Sequence, residues 1–147
     1  MDLFGVAYTS EAKPSMTADD IDRLLVSARS NNAALGITGV LLFGDGRFFQ
    51  YFEGTRRCMD DVYARIRESS LHRDVAELEH RQLEQRLFNR WFMGFREAPA
   101  SVLQKLSQEQ WQREMPWVEQ HAPQSSGIRY LLELFAEEPD SPAAQQR

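Results

Sequence analysis

With 147 residues, 42% hydrophobic and 27% charged, the chain has the composition of one soluble globular domain, long enough to bury about 70% of its unfolded surface. A net charge of −5 and a pI near 5.2 argue against nucleic acid or an anionic membrane as a partner. One cysteine, Cys58, excludes an internal disulfide, and scattered His72, His80 and His121 give no metal-ligand spacing. Met1 to Phe4 lacks the basic start of a signal peptide and no apolar run reaches the length of a membrane span, so a reducing, cytoplasmic setting is expected.

Leu3 to Thr9 reads as a short strand with both faces suited to burial. Ser10 to Ser15 reads as a loop. Thr17 is an N-cap, and Asp19, Asp20 and Asp22 complement the dipole of the helix it opens. Ile21, Leu24, Leu25 and Ala28 form one buried stripe, and Asn31-Asn32 is expected to end that helix.

Gly36 to Gly54 holds two apolar runs around Asp45-Gly46, a dipeptide suited to a tight hairpin turn with positive φ at both central residues. The first run puts Ile37, Leu41 and Phe43 on one face and Val40 and Leu42 on the other, so it belongs inside a sheet covered on both sides. The second run has one misfit. Phe48, Gln50 and Phe52 share a face, and a buried amide without partners costs about 1–3 kcal/mol. Gln50 therefore either bonds to a polar group under the sheet or sits in a different register.

Thr55 can cap a second helix with the stripe Met59, Val62, Tyr63 and Ile66. Asp74 to Leu83 is a charged strand suited to a sheet edge, and Trp91 to Glu97 is a final strand. Beyond Pro99, Val102 to Trp111 and Ile128 to Ala136 read as amphipathic helices, able to cover the open face of the sheet or pair with another subunit. The order is that of an α+β, ferredoxin-like βαββαββ sheet with two helices on one face, plus two C-terminal helices. Its topology places Tyr8, Asn31, Asn32, Gln50 and Arg65 around a cleft between the first two helices. Such a lining suits a flat, polar-edged, partly anionic ligand. Each residue also has a plainer use: a helix cap for an Asn, a solvated charge for Arg65, a strand tyrosine for Tyr8, filler for Trp91 and Met93, a loop position for His72.

Together these residues resemble the BLUF family of blue-light receptors. The resemblance runs from Leu3 to Glu97 and rests on several pieces in order. They are the strand ending in Tyr8, Asn31-Asn32 followed by Gly36-Ile37-Thr38-Gly39, Phe48-Phe49-Gln50-Tyr51-Phe52-Glu53-Gly54, Arg65-Ile66, His72, and Trp91-Phe92-Met93. Leu71 and Ser69 depart from it, where an arginine and an acidic residue are common.

The resemblance implies a flavin-binding domain over 1–98, while the residues beyond it read as a helical extension over 99–138 and a disordered tail over 139–147. It implies an oxidised flavin, FAD in the first place and FMN or riboflavin otherwise, between the two helices. Asn31 and Asn32 would bond to its polar ring edge, and Arg65 and His72 would face the ribityl and phosphate side. Leu25, Ile37, Phe48 and Ile66 would be apolar contacts. Tyr8 would supply an electron and a proton under light, and Gln50 would be left rearranged, giving a red-shifted state. Trp91 and Met93 would relay the change along the last strand. No net chemistry on a substrate is implied, so the output would pass to a downstream signalling protein or to self-association as a dimer or larger ring. Two rival readings are an acylphosphatase-type hydrolase using Arg65 and an Asn, and an oligomerisation module without a ligand.

Overall fold

The computed structural model describes residues 3–68, 72–88, 92–109 and 126–136. The elements are β1 (Leu3–Ala12), α1 (Ala18–Leu35), β2 (Thr38–Gly44), β3 (Arg47–Thr55), α2 (Arg56–Glu68), β4 (His72–Leu83), β5 (Gly94–Glu97), α3 (Ala100–Gln108) and α4 (Ser126–Ala136). One sheet runs β4-β1-β3-β2-β5, antiparallel except that β5 lies parallel to β2. This is the expected ferredoxin-like α+β arrangement with an added strand, and charged β4 sits at an edge.

The hairpin turn forms as its dipeptide requires, with φ of 51° at Asp45 and 72° at Gly46. Strand alternation then divides the core. Phe4, Val6, Tyr8, Ile37 and Phe52 pack with Met59 and Val62 of α2, while Leu41, Phe48 and Met93 pack with Ile21 and Leu25 of α1. On the opposite face Ala7, Val40, Leu42, Phe49 and Tyr51 meet Leu103, Leu106, Ile128, Leu131 and Phe135. The C-terminal helices thus cover the face that α1 and α2 leave open.

Several boundaries differ from the sequence expectation. β1 does not give way to a loop at Ser10. Ser10 and Glu11 pair with Phe48 and Arg47, and the Ala12 N–H donates to the Gly46 carbonyl at 2.8 Å, so the long hairpin arm gives these residues a partner. Thr17 caps α1 in a capping box with Asp20, but Asn31-Asn32 does not end that helix. Ala33, Ala34 and Leu35 favour another turn, and Gly36 terminates it in the left-handed region at φ 69°. The last strand starts at Gly94, because the carbonyls of Phe92 and Met93 are taken by side chains of α1 instead of a strand ladder. α3 starts at Ala100 and ends at Gln108, before the expected Trp111. Ser69, Leu71, Trp91 and the 139–147 tail lie outside the described residues.

Candidate functional site

α1 and α2 leave a cleft of about 360 Å³ between them. Its α1 wall is Arg23, Leu24, Ser27, Ala28, Asn31 and Asn32, and its α2 wall is Val62, Arg65 and Ile66. Leu41, Gln50 and Met93 come up from the sheet. Leu24, Ser27, Ala28 and Asn31 of the α1 wall follow i, i+3, i+4, i+7, and Val62, Arg65 and Ile66 of the α2 wall follow i, i+3, i+4.

Below the cleft, Tyr8 of β1 and Gln50 of β3 are directly opposed across the antiparallel ladder. The fully buried Tyr8 hydroxyl donates to Oε1 of Gln50. Backbone register therefore sets the two residues opposite one another. Burial pushes the Tyr8 phenol well above its ordinary pKa, with a smaller contribution from Tyr63, so it stays protonated and donating. The other end of the Gln50 amide has a softer partner. Its Nε2 donates to the Met93 thioether at 3.6 Å. Sulfur is a weak acceptor, so this N–H is available to a better one in the cleft.

Asn32 is buried and donates through Nδ2 to the Phe92 carbonyl at 2.6 Å, leaving Oδ1 and a second N–H for other partners. Arg29, one turn earlier, donates through Nε to the Met93 carbonyl at 2.9 Å. Its partial burial lowers the guanidinium pKa from its usual value. α1 thus carries cleft residues and also holds the segment leading into β5.

Of the residues expected from sequence, the cleft gathers Asn31, Asn32, Gln50, Arg65, Ile66 and Met93, with Tyr8 directly behind Gln50. Leu25, Ile37 and Phe48 are core residues beneath it and do not line it. Leu25 and Phe48 pack with Leu41, and Ile37 packs with Tyr8 and Met59. His72 opens β4 opposite Ala12, with its side chain outside the description, and Trp91 lies outside the described residues altogether. Arg23, Leu24, Ser27, Ala28, Leu41 and Val62 were not expected at the cleft. Leu24, Ser27, Ala28 and Asn31 follow i, i+3, i+4, i+7, so carrying the helical stripe three residues past Ala28 would have found that wall. Arg23 also pairs with Asp20 at 3.1 Å, and Asp20 is lowered to about 2 chiefly by the Thr17 backbone N–H.

A second polar cluster lies on the α3/α4 side. Glu53 is fully buried and accepts from the Leu87 and Phe88 N–H groups at 3.0 Å and from the Tyr51 hydroxyl at 2.7 Å. Arg86 donates to the Thr38 hydroxyl, the Glu53 carbonyl and the Gly36 carbonyl. Together they fix the connection after β4 against the end of α1, the start of β2 and the C-terminal part of β3.

The cleft fits a flavin by its donor set: amides along one wall, two guanidinium groups, an aliphatic floor and a buried amide whose N–H donates to sulfur. Among the described residues no group of side chains could hold a metal ion, and no helix is long and apolar enough to cross a membrane.

The family model described as BLUF, sensors of blue-light using FAD, matches residues 3–94. The photoactivated adenylate cyclase subunit beta of Euglena longa is 33% identical over 86 residues, 58% of this chain and 10% of that protein. The chain therefore spans about a tenth of the length of the curated relatives it matches. A solved BLUF structure of BlrP1, a Klebsiella pneumoniae protein, is 35% identical with a TM-score of 0.61, covering 66% of each chain. The BlsA ground-state structure aligns with a TM-score of 0.73 over 99% of this chain and 95% of that one, at 18% identity, a likeness of fold alone.

Proposed function

The chain belongs to the BLUF family, the sensors of blue light using FAD, and on that premise we propose that it is a blue-light receptor holding an oxidised flavin between α1 and α2. The reading rests on one observation above the rest: a buried tyrosine and a buried glutamine, paired by register, with the glutamine amide opening into the cleft.

Asn31 and Asn32 would hold the polar ring edge, and Leu24, Ala28, Ile66 and Leu41 would flank the ring plane. Arg65 and Arg23, both exposed on the cleft walls, would meet ribityl and phosphate oxygens through charge-assisted hydrogen bonds. FAD is the expected form, with FMN or riboflavin as the other candidates. When bound, oxidised flavin absorbs blue light and becomes a strong oxidant. With flavin bound, Tyr8 would be the donor of an electron and its hydroxyl proton to that oxidant and would recover both, so no net chemistry would result. Gln50 would lose the bond it accepts from Tyr8 during that interval and could rotate or tautomerise. Afterwards it would direct a donor toward the cleft in place of Met93 sulfur, and a bond to the flavin from there would red-shift its absorption.

The Euglena relatives are named photoactivated adenylate cyclases, a description that belongs to those proteins. For this chain the output is proposed to be non-enzymatic, passed from Met93 and Trp91 along β5 to a downstream signalling protein, with self-association into a dimer or larger ring. The proposed setting is the cytoplasm. The test is to purify the protein, heat-denature it and chromatograph the supernatant. The reading expects a yellow protein releasing one non-covalent flavin, FAD foremost. A colourless protein that takes up neither FAD, FMN nor riboflavin on reconstitution would overturn it.

A further inference from the structure

Tyr8 has a second tyrosine beside it. Tyr63 of α2 packs into the same cluster, its ring centroid 5.9 Å from that of Tyr8 and its plane tilted by 35°. Phe52 lies edge-on to both rings, at 6.2 and 6.4 Å. Phenylalanine is hard to oxidise, whereas Tyr63 is the same phenol as Tyr8. An electron vacancy on Tyr8 therefore has a chemically equal host in ring contact. Tyr63 also reaches outward. Its hydroxyl is buried, but the residue as a whole is half-buried. Arg67, four residues further along α2 and exposed, holds its guanidinium carbon 4.5 Å from the Tyr63 ring centroid. A cation over an aromatic ring is held by the electron density of that ring. Oxidation of Tyr63 would withdraw that density and weaken the contact, so Arg67 makes this tyrosine harder to oxidise.

We propose that Tyr63 and Arg67 form a guarded exit from Tyr8: Tyr63 is the next site able to take an oxidising equivalent, and the Arg67 charge over its ring holds that equivalent back on Tyr8. The proposal rests on the photoreceptor reading above, in which light-excited oxidised flavin is the oxidant. A Tyr8 that has lost its electron and hydroxyl proton would take both from the Tyr63 hydroxyl, breaking one phenolic O–H bond and forming the other. Tyr63 would then recover an electron and a proton from a reductant in solvent. The electron and proton that left Tyr8 would have no vacancy to return to and would stay on the flavin. A reversible cycle needs this exit closed. Arg67 does not line the cleft and acts only through Tyr63, as a positioning residue for a charge.

The test uses the purified 147-residue chain as wild type, Arg67→Met, Arg67→Lys and the double variant Arg67→Met with Tyr63→Phe. Methionine keeps an apolar cover on the ring, and lysine keeps the charge. The first measurement needs no light: azide radicals generated by pulse radiolysis in the dark, with oxidised tyrosines mapped by mass spectrometry of peptides. Oxidation at Tyr63 should be about two- to fivefold higher in Arg67→Met than in wild type, and near wild type in Arg67→Lys. The second is the flavin band under blue light with ascorbate as reductant. The wild type should red-shift reversibly. Arg67→Met should bleach about two- to fivefold faster, and Tyr63→Phe in the same chain should abolish that gain. Equal Tyr63 oxidation in wild type and Arg67→Met, or bleaching that survives Tyr63→Phe, would overturn the proposal while the wild-type red shift stands. A flavin-loaded wild type with no red shift would overturn the photoreceptor reading, and the proposal with it.

Discussion

Tyr8 and Gln50 face each other across β1 and β3, and the tyrosine hydroxyl donates to the amide oxygen with both side chains buried. Two extended strands in one register hold this pair, so its geometry does not depend on a loop. Among the described residues the amide has a strong bond from the phenol and a weak one to sulfur. That imbalance gives the side chain a second arrangement within reach once the cleft offers a better acceptor.

Tyr8→Phe removes only the hydroxyl from a ring packed against Phe52 and Tyr63. The variant should fold and bind flavin but show no light-induced red shift in its absorption spectrum. A normal photocycle would assign the electron and proton donor to another residue.

Arg65→Ala should weaken flavin retention by about 1.5–3 kcal/mol through loss of charge-assisted bonds, measured by titration or by thermal release. Asn32→Ala should weaken retention too, and it also frees the Phe92 carbonyl that Asn32 now holds. Unchanged retention in both variants would reduce these residues to a helix-to-strand tie and a rim charge.

Much of this arrangement was legible in the sequence because it is local and periodic. The Phe48-Gln50-Phe52 alternation marked one polar side chain on an apolar face, and Asp45-Gly46 fixed the turn that sets the β2–β3 register. The split of β2 into two apolar faces likewise anticipated cover on both sides of the sheet. Asn31-Asn32 was misread as a helix end because either residue makes a good stop signal, whereas Gly36 a turn later is the one with positive φ. Contacts between distant segments left no periodic trace. Arg29 and Asn32 reach the Met93 and Phe92 carbonyls across 64 and 60 residues, and Glu53 meets the Leu87 N–H across 34. Only the folded topology brings those groups together.

Leu131→Ala should cost about 2–5 kcal/mol of stability in urea unfolding, since Leu131 is fully buried between α4 and the β2–β3 face. Its flavin band and red shift should be unchanged, because that face is separated from the cleft by the sheet. Loss of the photocycle at full folding would mean that α4 shapes the flavin site.

Glu53→Gln should change how stability depends on pH. Burial raises the Glu53 carboxyl above its ordinary 4.5, against the donors from Phe88, Tyr51 and Leu87. A raised carboxyl contributes stability that is complete below the unfolded-state pKa and is lost as pH rises through the folded value. Glutamine has no such loss. The difference in Tm between variant and wild type should therefore shift in the variant's favour as pH rises from about 4 to about 8. A difference independent of pH would show that Glu53 does not titrate on unfolding.

The most direct test is the light-minus-dark absorption difference spectrum of the wild type beside Gln50→Leu. Leucine keeps the volume between Phe48 and Phe52 and removes a polar group that needs partners, so the variant should fold and bind flavin. The wild type should show a reversible red shift of the flavin band under blue light. Gln50→Leu should show none, since leucine has no donor or acceptor to redirect into the cleft. A full red shift in Gln50→Leu, or none in a flavin-loaded wild type, would contradict the account.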